Sequence, residues 1–470
     1  MKRVLLLLPT TGYRNDDFLA AAKKLDVEIV AAANYCHKLA PSWNMSAIMA
    51  LHFDRPEQAA DTVLREIRGT LDAVLAVDDS GVELAALLAE RLGLPGNSAH
   101  AVRRVHDKLA FRRLLQEGGF LCPEFHHLPS GADPRELLSH ENFQIGDNSA
   151  NSRHALSPSP SPVSGRGWPT GRERGSSVMN YGYSNKLKFP VVVKARRLSG
   201  SRGVIRADDA DALVRAVNRV RAIQARADRD AEALGIIIEN FIPGNEYALE
   251  GALNFGTLST LALFDKPDPL DGPYFEETLY VTPSRLPAAL QERIQQEIAN
   301  VCRAAGLGAG PIHAEVRVND CGIWILEVAA RSIGGLCGRV LTHSLGMSLE
   351  EMTLRALVAQ PATKPRANAG EEGGAAGVMM IPIPRRGIYH EVEGLAAAQS
   401  IPGVTGVNIT AEPGQIIAPP PDGSSYLGFI FTRAANPADA ETALRSAHRQ
   451  LHFDIRPEYP AEQVRSTENQ

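Results

Sequence analysis

The sequence predicts a mixed α/β and α+β protein of about three domains, opening with a parallel sheet and closing with a small α+β unit. Two observations carry that expectation. In the first hundred residues, continuous apolar runs too short for helices alternate with amphipathic segments of helical period. Continuous apolar strands separated by helices mark a parallel sheet covered on both faces. Later, apolar strands follow one another across short turns, as antiparallel neighbours do.

In order, Arg3–Leu8, Val27–Ala33 and Ala73–Val77 read as buried strands, with helices over Asp16–Leu25, Glu57–Arg68 and Gly81–Leu92 between and after them. A basic amphipathic helix, Val102–Gln116, carries Lys108. Residues 143–188 then intervene with Ser-Pro repeats and Gly/Arg-rich runs. Such composition cannot bury enough apolar surface to offset its ordering entropy, so a disordered insertion is expected there. Beyond it come a strand at Phe189–Ala195, a helix at Asp208–Ala225 and a strand at Gly235–Glu239. A strand-rich stretch fills Glu246–Thr282, followed by a helix at Pro287–Ala305, a hairpin at Ile312–Val328 and a helix around Ser348–Ala359. Residues 361–375 read as a linker. The final part, 376–470, mixes short strands (Gly377–Ile381, Leu427–Thr432) with a helix at Pro437–Leu451. The expected domains are therefore 1–100, 101–360 and 376–470.

Bulk properties narrow the function. The 470 residues are 44% hydrophobic, with 49 basic against 54 acidic side chains and a formal charge of −5. That balance gives no footprint for nucleic acid or an anionic membrane. No apolar run approaches the ~20 residues that span a bilayer. Val4–Leu8 is too short for a signal-peptide core and stops at Pro9. The five cysteines (Cys36, Cys122, Cys302, Cys321, Cys337) have no zinc or redox spacing, which fits a reduced, cytoplasmic protein.

The hairpin carries the clearest chemistry. A three-residue turn, Asp320-Cys321-Gly322, would set Asn319 against Ile323 and Glu315 opposite Glu327. Facing side chains on one sheet face have Cβ atoms about 5 Å apart, so the two carboxylates repel unless a cation joins them or one is protonated. Ala314, Val316, Val318, Trp324, Leu326 and Val328 would then face the core. Paired carboxylates with phosphates suit Mg²⁺; a solvated face neutralised by Arg317 suits the same residues. Lys194 ends a β-branched strand and needs an anion or a route to water. The loop Ser199-Gly200-Ser201-Arg202-Gly203 follows it and can offer backbone N–H groups and a guanidinium to phosphate, or be an ordinary turn. Glu239 and Glu246 flank Asn240-Phe241-Ile242, a linker able to hold a nucleotide base and sugar, or a plain strand-turn.

Taken together, Lys108, Lys194 with its Ser/Gly loop, Glu239, Glu246, Glu315, Glu327 and Arg331 resemble the ATP-grasp superfamily over residues 1–360. Leu92-Gly-Leu-Pro-Gly96 and Asp107-Lys108 add to the likeness. The resemblance implies an N-terminal preATP-grasp α/β domain, a two-lobed ATP-grasp domain and an ADP-forming ligase that couples a carboxylate to an amine through an acyl phosphate. It implies that Lys108, Lys194 and Ser199–Gly203 bind ATP phosphates, that Glu239 and Asn240–Ile242 meet adenine, and that Glu246 meets the ribose. Glu315 and Glu327 would hold Mg²⁺ (or Mn²⁺), and Arg331 the phosphoryl group or substrate carboxylate. Many members carry Asn where this chain has Ala329, which leaves a second metal open.

Within the superfamily the chain is most similar to L-amino-acid (dipeptide) ligases. Met379–Gly387 through Phe453–Ile455 resembles their small final domain, and Gly272–Pro283 their substrate-side strand. On that strand Glu277 is the candidate for a substrate amino group, or a solvent-facing acid. Tyr280 stands where some relatives carry His. Gly334 and Gly335 make room in an acyl pocket, or form a turn. Biotin carboxylases and ATP-dependent purine-pathway enzymes share the lobes, and a nucleotide-binding regulator without catalysis is the reading of another class. Relatives are often homodimers.

Overall fold

The computed structural model describes residues 1–9, 12–34, 48–138, 186–227, 231–358 and 374–458. Most of the expected insertion and linker, residues 143–185 and 361–373, lies outside these ranges.

Strands β1 (Lys2–Leu8), β2 (Val27–Asn34), β3 (Ile48–Leu51) and β4 (Ala73–Ala76) form a parallel sheet in the order β3-β2-β1-β4. The apolar run of β1 is continuous because both its faces are covered. Leu5 and Leu7 enter one core cluster, while Val4, Leu6 and Leu8 enter another on the opposite side. Helices Asn15–Lys24, Pro56–Glu66 and Val82–Leu92 accompany this sheet.

The single helix expected over Val102–Gln116 is two helices, Ala99–His106 and Lys108–Glu117. Asp107 breaks them at ψ 112°, and its Oδ1 accepts the N–H groups of Leu109 (3.0 Å) and Ala110 (3.3 Å). The side chain caps the second helix, which a continuing apolar period conceals. Lys108 becomes the first residue of a helix.

A small lobe follows: β5 (Phe125–Leu128), β6 (Val191–Ala195), β7 (Val204–Ala207) and β8 (Ile236–Asn240), all antiparallel in the order β5-β8-β6-β7. Helix Ala210–Ala227 covers one face through Leu213, Val217 and Val220.

The largest element is an eight-stranded sheet. It holds β9 (Asn245–Asn254), β10 (Thr257–Lys266), β11 (Leu279–Thr282), β12 (Gly310–Asn319), β13 (Gly322–Ala329), β14 (Ala375–Ile381), β16 (Val404–Ile409) and β18 (Gly428–Ala434). Their order is β13-β12-β9-β10-β11-β14-β18-β16. Strands from beyond residue 374 thus continue the sheet begun at 245 rather than forming a sheet apart. A second sheet, β17-β15-β19, consists of β15 (Gly387–Glu393), β17 (Ile416–Ile417) and β19 (His452–Arg456).

The β12–β13 hairpin departs instructively from expectation. Its turn has two residues, Asp320 and Cys321, so Asn319 pairs with Gly322, Arg317 with Trp324 and Val316 with Ile325. A one-residue slip exchanges the faces of a strand. Ile323 and Ile325 therefore fill the core, at 7% and 2% exposure, while Trp324 and Leu326, expected there, are only half-buried. A bulge at Leu326 restores the alternation, so Glu315 still pairs with Glu327.

Candidate active site

A cleft between the small lobe and the large sheet collects most of the anticipated side chains. Lys108, Lys194, Ser199, Gly200, Ser201, Glu239, Asn240, Phe241, Ile242, Glu246, Glu277, Glu315, Glu327, Arg331, Gly334 and Gly335 all line it. Arg202 and Gly203 are absent from its walls. The Gly203 N–H donates to Pro421 O at 3.3 Å, and Arg202 Nε is buried without a partner among the described residues.

One end is cationic. Lys194, next to last in β6, pairs with Glu239, which Arg112 also grips at 2.8 and 3.2 Å. Burial would raise the Glu239 carboxyl, but the charges of Arg112 and Lys194 outweigh it and hold it at about 2. Burial pushes the Lys194 ammonium below its ordinary value. The Glu239 carboxylate is thus occupied by two cations and fixes the lysine. Lys108 Nζ donates to Leu198 O at 2.6 Å, just before the loop. In that loop Gly200, Ser201 and Gly203 have φ of +62°, +56° and +69°. The N–H groups of Arg202, Gly203 and Val204 donate to Ser199 O (3.4 Å), Pro421 O (3.3 Å) and Ser201 O (3.3 Å), so the part of the loop that lines the cleft is Ser199–Ser201.

The middle is a wall of acids. Lys266 ends β10, 6% exposed, with its ammonium 2.6 Å from Glu246, 2.6 Å from Glu277 and 2.8 Å from Glu315. Burial would raise Glu315, yet Lys266 and His313 keep it well below the carboxylate range. Burial lifts Glu277 to about 7, with Lys266 opposing and Glu315 assisting. His313 sits 3.3 Å from Glu250 and 3.7 Å from Glu315, and these acids outweigh burial to push it up to about 9. Arg317, which one reading assigned to neutralising the hairpin acids, is buried and pairs with Glu246 at 3.0 Å. Phe241 stacks with Phe275 at 6.4 Å and lies under the guanidinium of Arg317.

Arg331 is set from beside the parallel sheet: Asp79, in the short turn after β4, pairs with it at 2.7 Å. Burial would raise Asp79, but Arg331 brings it to about 2. Tyr280 Oη lies 3.5 Å from Glu315, and Gly334 and Gly335 stand beside Ile333, whose N–H donates to Glu250 at 3.0 Å.

These groups suit a metal and a phosphate chain. Glu246, Glu277 and Glu315 place carboxylate oxygens within 4.8 Å of one another. Glu327, paired with Glu315 in register, makes no ion pair among the described residues and faces the cleft. Lys266 already meets Glu246, Glu277 and Glu315, so Glu327 is the one of these four hard oxygen donors without an ion-paired cation among the described residues, the kind of ligand Mg²⁺ takes.

Residues 187–340 match the ATP-grasp domain family, and residues 379–456 match the L-amino acid ligase C-terminal domain 2. The chain contains an ATP-grasp domain. It is 28% identical over 289 residues to carnosine synthase 1 of Gallus gallus, covering 60% of this chain and 27% of that protein. D-alanine–D-alanine ligase of Buchnera aphidicola is 29% identical over 180 residues, 37% of this chain and 55% of the other. These matches span well under two thirds of the relatives' lengths. The L-amino acid ligase structure from Bacillus licheniformis superposes with a TM-score of 0.70 at 22% identity, covering 97% of this chain and 99% of that one. Among the described residues no helix is long and apolar enough to cross a membrane.

Several residues of the ATP-grasp cleft escaped the sequence reading. Lys266 ends a buried strand and Lys194 stands one residue from the end of another, so the same argument would have found it. Arg112 and His313 gave no local signal, since their partners lie 127 and 63 residues away. Tyr13 and, from the C-terminal domain, Ser424 and Tyr426 also line the cleft.

Proposed function

We propose that this ATP-grasp protein is an ATP-dependent carboxylate–amine ligase, joining an acid such as an amino acid to an amine with release of ADP and phosphate. The observation that carries this reading is the Glu315–Glu327 pair, set between a two-lysine phosphate end and a wall that offers Glu277 to an ammonium. Lys108, Lys194 and the loop Ser199–Gly203 would bind the phosphates of ATP. Phe241 and the backbone of Asn240–Ile242 would flank the base, and Glu246 the ribose. Glu315 and Glu327 would hold Mg²⁺, or Mn²⁺, which screens phosphate charge during transfer.

A carboxylate oxygen attacks the γ-phosphorus and ADP leaves, giving an acyl phosphate. The amine nitrogen then attacks the acyl carbon, the bond to the phosphate oxygen breaks, and the nitrogen loses a proton. Arg331, held by Asp79, neutralises charge on the acyl and phosphoryl oxygens. Glu277 grips a substrate amino group, with Gly334 and Gly335 leaving space for the acyl chain. The domains 1–100, 101–360 and 376–470, a homodimer and a cytoplasmic site of action, where ATP is plentiful, complete the proposal.

The test is phosphate release from Mg-ATP against panels of amino acids, other carboxylates, amines and bicarbonate, with products weighed by mass spectrometry. Release that requires both an acid and an amine, with a condensed product, supports the ligase. Stimulation by bicarbonate alone, or tight ATP binding without turnover on any panel, overturns it.

A further inference from the structure

The phosphate-side loop is fastened from outside its own lobe. Pro419-Pro420-Pro421-Asp422-Gly423-Ser424 forms a turn in the C-terminal domain that reaches across to the small lobe. Its Pro421 carbonyl accepts the N–H of Gly203 at 3.3 Å. Asp422 pairs with Arg219 of helix Ala210–Ala227, which packs behind that loop. A Cβ added to Gly200 would stand 3.3 Å from the Ser424 Cβ. The turn is tight in its own right: a Cβ on Gly423 would lie 1.9 Å from Ala418 O.

The same turn continues along the wall of the cleft: Ser424 stands beside Gly200, Tyr426 lies near Glu277, and the Tyr426 N–H donates to Tyr13 Oη at 3.1 Å. Each side of the contact also keeps a buried polar atom without a partner among the described residues, Arg202 Nε on the loop and Asp422 Oδ1 on the turn. The contact therefore has bonding capacity left to engage when the lobes tighten.

We propose that Asp422 is a positioning residue: through Arg219 and the Pro421 carbonyl it holds the Ser199–Gly203 loop closed, so that a substrate seated against Ser424 and Tyr426 favours closure over the phosphates. This rests on the reading of that loop as the phosphate cover. Closure then depends on both ends of the cleft being filled, which keeps water from consuming ATP unproductively.

Charge reversal tests it on the full chain. Asp422→Arg and Arg219→Asp each place like charges at the contact, and the double variant R219D/D422R restores the pair. The expected result for either single variant is a KM for ATP raised about fivefold, the upper range for so exposed a pair, with kcat little changed. Phosphate release exceeds product, and hydrogen exchange quickens over residues 199–204. The double variant returns all three toward wild type. Single variants with wild-type exchange, ATP KM and phosphate-to-product ratio overturn the proposal, as does a double variant no better than its parents. A wild-type protein that binds no nucleotide overturns the ligase reading instead. Exchange over 199–204 still judges the latch in that case.

Discussion

Replacing Glu239 by Gln would remove one negative charge from between two buried cations. Arg112 is 1% exposed and Glu239 2%, so neither solvent nor salt can take over the lost interaction. The group's pKa falls from 4.5 to about 2 on folding, because Arg112 and Lys194 outweigh the burial that would raise it. At 1.36 kcal/mol for each tenfold change in proton affinity, that fall is worth about 3 kcal/mol. Breaking one partner of a buried ion pair costs ~3–5 kcal/mol by mutational precedent, so the two routes agree. The sign follows from a depressed pKa: the stabilisation is present above the unfolded value and lost as pH falls through the folded value. Urea unfolding followed by circular dichroism should show Glu239→Gln less stable by about 3 kcal/mol at pH 7. At pH 3 the linkage expression leaves a gap of only about 1 kcal/mol. A variant within 1 kcal/mol of wild type at pH 7, or a gap that does not shrink on acidification, would refute this account of the triad.

Lys266→Met leaves three carboxylates facing one another, with a loss of about 3 kcal/mol that millimolar Mg²⁺ or Ca²⁺ partly restores; thermal unfolding without any response to divalent ions counts against the cluster. His313, raised from 6.5 to about 9, gives stability that is complete below pH 6.5 and lost as pH rises through about 9. His313→Gln should therefore flatten the alkaline decline seen in urea titrations, and an unchanged decline would disprove the pairing with Glu250. Burial pushes the thiols of Cys122 and Cys302 up to about 12, and Cys337 is buried as well, while Cys321 is exposed at the hairpin turn. In a Cys36→Ser background at pH 8, Cys321→Ser should abolish the fast phase of thiol labelling, and a surviving fast phase would contradict the packing.

What the sequence disclosed depended on range. The parallel sheet was legible because burial on both faces writes itself into each strand separately, as in Val4–Leu8. The pairing of Glu315 with Glu327 was anticipated through two compensating errors. A turn one residue shorter than expected reversed the face of Ile323–Ile325, and the bulge at Leu326 reversed it back. Bulges leave little trace in apolar alternation, so the outcome was legible while its cause was not. The helix break at Asp107 was hidden because the apolar period runs through it. Strand β3 was missed in a short segment with little pattern of its own. Arg112 acquires its role from Glu239, 127 residues along the chain, and no local window contains both, whereas Lys266 at the end of its buried strand was open to the argument applied to Lys194.

The eight-stranded sheet also sets the order in which the protein can be made. Strand β11 meets β10 at the single pair Asp265–Val281, but meets β14 over four, from Leu279–Met379 to Thr282–Ala376. During synthesis its free edge waits for a stretch about a hundred residues downstream, some 5–20 s at ordinary translation rates. A nascent chain therefore completes the phosphate end of the cleft first. The wall bearing Glu277 and Tyr280 is secured only when the last part of the sheet has emerged from the ribosome.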